Sequence, residues 1–145
     1  MDIKFSKKHK ETLKNLGIQA VLLFGSYSNG KPNELSDIDV GVLFENPEKY
    51  KDRTMDAYLK VYDILIDVLP KEYLKKRLDL KEHEVDIVFL QYAPVYLQHR
   101  ALQDGKVLYT SEKQKFFTYK ENITNRFCDL KYFYDLSFKA LMARI

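Results

Sequence analysis

Apolar positions along this chain follow two rhythms. Short runs of branched and aromatic side chains, bounded by turn residues, predict buried strands over Ile18 to Phe24, Asp37 to Phe44 and Val85 to Leu90. Elsewhere apolar residues recur three and four apart, which predicts amphipathic helices. Ser6 caps the first, with Phe5, Leu13 and Leu16 inward and Gly17 as its stop. A second spans about Thr54 to Leu69, with Met55, Tyr58, Leu59, Tyr62, Leu65, Ile66 and Leu69 as its apolar positions. Pro70 opens a new segment, and Lys71 to Leu80 is read as helix. Pro94 begins a helix that Gly105 stops, and Lys106 to Tyr109 is a short extended piece. From Glu112 onward the chain reads as one long helix. In it Ile123, Phe127, Leu130, Tyr134, Ser137 and Leu141 make a heptad-like seam. Strands separated by helices predict an α/β or α+β layer fold with a mixed sheet.

Bulk properties narrow the class. A length of 145 residues fits one domain with a real core, and 46% hydrophobic with 31% charged residues fits a globular protein. A net charge of +3 is mild. The basic clusters Lys7-Lys8-His9-Lys10 and Lys75-Lys76-Arg77 read as solvated helix faces, so no direct nucleic-acid contact is expected. The one cysteine, Cys128, excludes an internal disulfide and a thiolate metal cluster, and its aromatic neighbours predict a buried thiol. No apolar leader and no run of about 18 apolar residues is present, so a cytoplasmic protein without a membrane partner is expected. His9, His83 and His99 have no ligand spacing.

The chemistry concentrates between the first two strands. Gly25-Ser26 forms a corner after Phe24, a polar loop follows, and Asp37 and Asp39 open the next strand. Residues two apart on a strand project to one face, so both carboxylates can bridge a pair of divalent cations. Magnesium suits such a site, because it takes a few carboxylates and leaves the remaining positions to water and phosphates. Asp86, between Val85 and Ile87 in a third apolar strand, is the candidate third ligand, since an acid there is costly without a partner or metal. Glycine lets backbone approach a phosphate, and the Ser26 amide and hydroxyl can both donate to it. An Asp-x-Asp alone arises about once by chance at this composition; with Gly-Ser at one fixed distance upstream the chance is roughly one in seven hundred.

Gly25-Ser26, ten residues, then Asp37-Ile38-Asp39 resembles the signature of the polymerase-β type nucleotidyltransferase superfamily. The run Val85-Asp86-Ile87-Val88, then Ala93-Pro94, then Ala101 to Tyr109, with a long closing helix, is similar in order to the minimal members: the MNT (MntA-like) antitoxins paired with HEPN toxins. The resemblance implies a minimal nucleotidyltransferase fold over residues 1–145, a short mixed sheet with helices mainly on one side. It implies an enzyme that uses ATP and two magnesium ions to transfer AMP to a tyrosine of a HEPN-type ribonuclease toxin, in a hetero-oligomer. Gly25 and Ser26 would hold the triphosphate, Asp37 and Asp39 both ions, and Asp86 the ion that activates the acceptor oxygen, with Asp86 also able to receive its proton. Many relatives carry arginines just after Gly-Ser; here Tyr27 and Asn29 stand there, and Lys31 is the cation the loop does carry. Lys31 reads first as an exposed loop lysine and second as a phosphate ligand. The Arg, four residues, His signature of the toxins is absent, since five residues separate Arg77 from His83.

Two other readings stay open at this level: an antitoxin with a vestigial site that acts by occlusion, and nucleotidyl transfer to a small molecule. The three aspartates weigh against the first, and the lack of room for a second substrate-binding domain weighs against the other. Phe133, Leu136 and Phe138 lie off the seam of the last helix, so that helix carries apolar residues on more than one face, which points to a partner.

Overall fold

The computed structural model describes residues 3–25, 38–69 and 85–144. The expected helix over 71–80 and the loop carrying Ser26, Lys31 and Asp37 lie outside the described residues. Helix α1 (Lys7–Asn15) starts on the Ser6 cap, where the Ser6 hydroxyl accepts from the His9 amide and His9 Nδ1 accepts from the Ser6 amide, both at 3.2 Å. Gly17 ends it at φ +72°, a left-handed turn that a side chain would strain.

Strands β1 (Ile18–Phe24), β2 (Ile38–Phe44), β3 (Val85–Phe89) and β4 (Lys106–Thr110) form one sheet in the order β3-β2-β1-β4. β1 runs antiparallel to β2 and β4, whereas β2 and β3 are parallel. A parallel pair needs a long crossover, and helix α3 (Thr54–Val68), preceded by the short α2 (Pro47–Tyr50), lies within it. All seven residues of β1 are buried, as expected of an inner strand covered on both faces.

That covering corrects one expectation: helices pack on both sides of the sheet, not mainly on one. Ile18, Val21, Leu23, Val40 and Val42 join residues of α1 and α3 in one core. Ala20, Leu22, Phe24 and Leu43 join Ala101 and Leu102 of α4 (Val95–Asp104) and Phe116 and Ile123 of α5 (Lys113–Ala143) in the other. A bulge between Ile18 and Ala20 shifts the alternation of β1, so Ile18 and Val21 share a face. Each fully buried Leu, Ile or Val contributes roughly 1.5–3 kcal/mol.

The inner face of α3 also differs from expectation. Ala57, Val61, Ile64 and Leu65 are buried, with Tyr58, Tyr62 and Ile66 packed beside them, whereas Met55 and Leu59 are 68% and 55% exposed. The small Ala57 and the branched Val61 allow close approach to the sheet, so the helix settles on that stripe. After β3 a 3-10 turn (Leu90–Tyr92) brings the Gln91 side chain alongside the end of β2. There it accepts from the Phe44 amide at 2.7 Å and donates to the Phe44 carbonyl at 2.8 Å, as a further strand would.

The last helix, α5, is 31 residues long, or about 46 Å. Only its first half packs on the domain. There Phe116 and Ile123 are buried, the Tyr119 hydroxyl donates to Gln98, and Phe127 stacks on His99 at 3.8 Å. Burial raises the Tyr119 pKa above the ordinary tyrosine value. Every residue from Cys128 to Arg144 is exposed. The Cys128 thiol is therefore on the surface, not buried, because it follows Phe127 where the helix leaves the core and Tyr132 and Phe133 beyond it are exposed. The heptad seam is covered at Ile123, half-covered at Phe127 and open at Leu130, Tyr134 and Leu141. No helix among the described residues is long and apolar enough to cross a membrane.

Candidate active site

The site begins at the end of β1. Phe24 pairs with Asp39 on β2, and Asp39 pairs in turn with Asp86 on β3, so the three residues form one row across three strands. On β2 the alternation that buries Ile38 and Val40 against α3 turns Asp39 to the opposite face, the one covered by α4. On β3 Val85 and Ile87 are buried and Asp86 is exposed. Partners in adjacent parallel strands share a face and lie about 4.8 Å apart, so the two residues stand side by side.

Gly25 follows Phe24 at φ +79°. A β-carbon built there would run into the Asp39 carboxylate, well inside van der Waals contact. The absence of a side chain at 25 is thus what lets Asp39 lie across the start of the loop. Phe24, Gly25, Asp39 and Asp86, with Leu97 and Arg100 of α4, line one cavity of about 310 Å³, near the lower end of the range for small-molecule sites.

Of the residues expected to form the site, Gly25, Asp39 and Asp86 come together, while Ser26, Lys31 and Asp37 lie outside the described residues. The reason given for Asp86 needs correction. It is not an acid held in an apolar interior; it is exposed, and only its strand neighbours are buried. Arg100 was not anticipated. It is an exposed residue of α4 next to the packed positions Leu97 and Ala101, and it borders the same cavity.

The donors are all carboxylate oxygens, which suit a hard divalent cation. Among the described residues no group of three His, Cys, Asp or Glu side chains is placed to hold a metal; the pair Asp39–Asp86 is the part of such a set that is described. Two adjacent carboxylates beside a glycine corner can flank the centre of a phosphoryl displacement, since such sites hold their ions about 3.5–4 Å apart.

The family model described as polymerase beta, nucleotidyltransferase, matches residues 7–114, and the chain belongs to that family. Two curated relatives come from Methanocaldococcus jannaschii. "Putative protein adenylyltransferase MJ1215" is 38% identical over 68 residues, 45% of this chain and 79% of that one. MJ0128, which bears the same name, is 32% identical over 87 residues, 58% of this chain and 89% of that one. Among solved structures, a chain of a toxin–antitoxin crystallised with AMP-PNP matches with a TM-score of 0.57 at 21% identity, covering 94% of this chain and 99% of that one. A chain of the tri-AMPylated Shewanella oneidensis HEPN toxin in complex with MNT antitoxin matches with a TM-score of 0.51 at 19% identity, covering 94% and 98%. At these identities the likeness is one of fold.

Proposed function

We propose that this nucleotidyltransferase is a magnesium-dependent protein adenylyltransferase. In this reading it transfers AMP from ATP to a tyrosine of a HEPN-type ribonuclease toxin and so acts as its antitoxin. The observation that carries the reading is the register pairing of Asp39 with Asp86 beside the glycine corner at Gly25. In the reaction the tyrosine oxygen attacks the α-phosphorus, the bond from that phosphorus to the bridging oxygen breaks, and pyrophosphate leaves with the electron pair. Asp37, Asp39 and Asp86 would hold two magnesium ions, which neutralise charge on the attacking and leaving oxygens. Gly25 and Ser26 accept the phosphates against the backbone, with Lys31 adding charge, and Asp86 receives the phenolic proton. Catalysis is then mostly positioning and electrostatic stabilisation.

The relatives' names support a protein as the acceptor class, and the complexes in which the matched chains occur support a HEPN-type partner. A partner surface is consistent with the open half of α5. Tyr132, Phe133, Tyr134 and Phe138 are each more than 60% exposed there, which is costly for a helix that works alone. Beside them Pro94, Tyr96, Phe127, Leu130 and Tyr134 line an apolar groove of about 450 Å³ between α4 and α5.

The test is transfer of label. With ATP labelled at the α-phosphate, the toxin becomes labelled; with ATP labelled at the γ-phosphate, it does not. Label from the γ-position would make the protein a kinase, and label from neither would remove the catalytic reading.

A further inference from the structure

We propose that Arg100 grips the phosphate chain of the incoming nucleoside triphosphate, as a cation built into the helical wall of the cavity. This rests on the nucleotidyl-transfer reading of the site and assigns a ligand contact on an element, α4, that lies outside the Gly-Ser/Asp-x-Asp motif.

Among the described residues, Arg100 is the basic side chain lining the cavity of Asp39 and Asp86. It is exposed, and among the described residues it forms no ion pair. It shares the cavity with both carboxylates, on an element other than the two strands that carry them. Its mounting is firm. Ala101 and Leu102, the next two residues, are buried against the sheet, and the Gln98 side chain donates to the Ala93 carbonyl at 2.7 Å. The backbone that carries the charge is thus in place before the ligand arrives.

Electrostatics gives that charge a purpose. Three carboxylates and a triphosphate together outweigh two divalent ions, so the loaded site keeps excess negative charge. A guanidinium offsets part of it and can donate two parallel hydrogen bonds to phosphate oxygens, which a lysine cannot. Leu97 and Phe24 line the same cavity, so a bound triphosphate that displaces water there would strengthen the attraction.

The experiment is calorimetric titration of the full chain, with magnesium present, using AMP-PNP and adenosine as probes. Arg100→Ala is expected to weaken AMP-PNP binding about tenfold or more, the effect of a lost charge-assisted hydrogen bond. Adenosine affinity and the melting temperature should be unchanged, and Arg100→Lys should recover part of the loss. Equal AMP-PNP affinity in wild type and Arg100→Ala overturns the inference and leaves the nucleotidyl-transfer reading standing. A parallel loss of adenosine binding and melting temperature overturns it in favour of a structural role. A wild-type chain that does not bind AMP-PNP overturns the nucleotidyl-transfer reading itself, and the role of Arg100 with it.

Discussion

Asp39 on β2 and Asp86 on β3 are register partners, and the core on the far side of the sheet keeps them so. Ile38 pairs with Val85 and Val40 with Ile87, and all four are buried against the α1 and α3 layer. A slip of one residue would send that apolar set to the other face and separate the carboxylates, so the packing that stabilises the sheet also fixes the site. The site's geometry is therefore a consequence of hydrophobic burial one residue away on either side.

Replacing either carboxylate should separate catalysis from stability. A group that contributes several kcal/mol to charge stabilisation in the transition state costs at least about 100-fold in rate when removed. Asp39→Asn and Asp86→Asn should each lose that much in initial rate of AMP transfer. Because Asp86 is exposed, Asp86→Asn should shift unfolding stability, measured by urea titration, by no more than about 0.5 kcal/mol.

The two left-handed glycines should behave differently. Gly25 (φ +79°) adjoins the Asp39 carboxylate and Gly17 (φ +72°) the Tyr50 ring. A left-handed conformation costs a non-glycine residue roughly 1–2 kcal/mol, so Gly17→Ala and Gly25→Ala should both lower the urea midpoint. Only Gly25→Ala should also displace Asp39 and abolish transfer. Full activity in Gly25→Ala would show that the close approach to Asp39 is not needed.

Sequence and structure agree where one physical rule acts alone. The limits of β1 and the Ser6 cap follow from branched runs and cap chemistry. Expectations fail where burial depends on what lies opposite. Met55 and Leu59 have the right period but the wrong phase, and Cys128 turns outward beside a half-buried Phe127, with Tyr132 and Phe133 beyond it exposed. Periodicity cannot reveal that both faces of the sheet are covered, because β1, apolar apart from Gln19, is compatible with several arrangements. Arg100 stayed hidden because Asp39 and Asp86, with which it shares a cavity, belong to other elements and only the fold brings them to α4.

Tyr119 makes stability fall at high pH. Burial raises its pKa above the ordinary value of 10.0, so the folded state holds the phenolic proton after the unfolded chain has released it. This contribution is fully present below about pH 10 and is lost as pH rises from there toward the folded pKa. Tyr119→Phe should remove that part of the decline, so the stability gap between wild type and variant should narrow steadily above about pH 10. A gap independent of pH in denaturant titrations would contradict the assignment. At neutral pH the variant should cost about 1–2 kcal/mol, because Gln98 loses its donor.

The open half of α5 should matter for association and not for folding. Phe133→Glu combined with Phe138→Glu changes two residues that are each 62% exposed, so the melting temperature should hardly move. Central aromatic anchors contribute about 2 kcal/mol or more each, so affinity for the HEPN-type partner in a surface-binding assay should fall by at least about 30-fold. Unaltered affinity would place the partner on another face.

The central claim is that this site adenylylates a HEPN-type partner, and intact mass tests it most directly. The partner would be incubated with this protein, ATP and magnesium, and weighed beside a reaction containing Asp39→Asn. The account predicts a gain of one or more AMP units with wild type and none with the variant. An unchanged mass, in a stable complex whose ribonuclease is nevertheless silent, would contradict it and make the protein an inhibitor by occlusion.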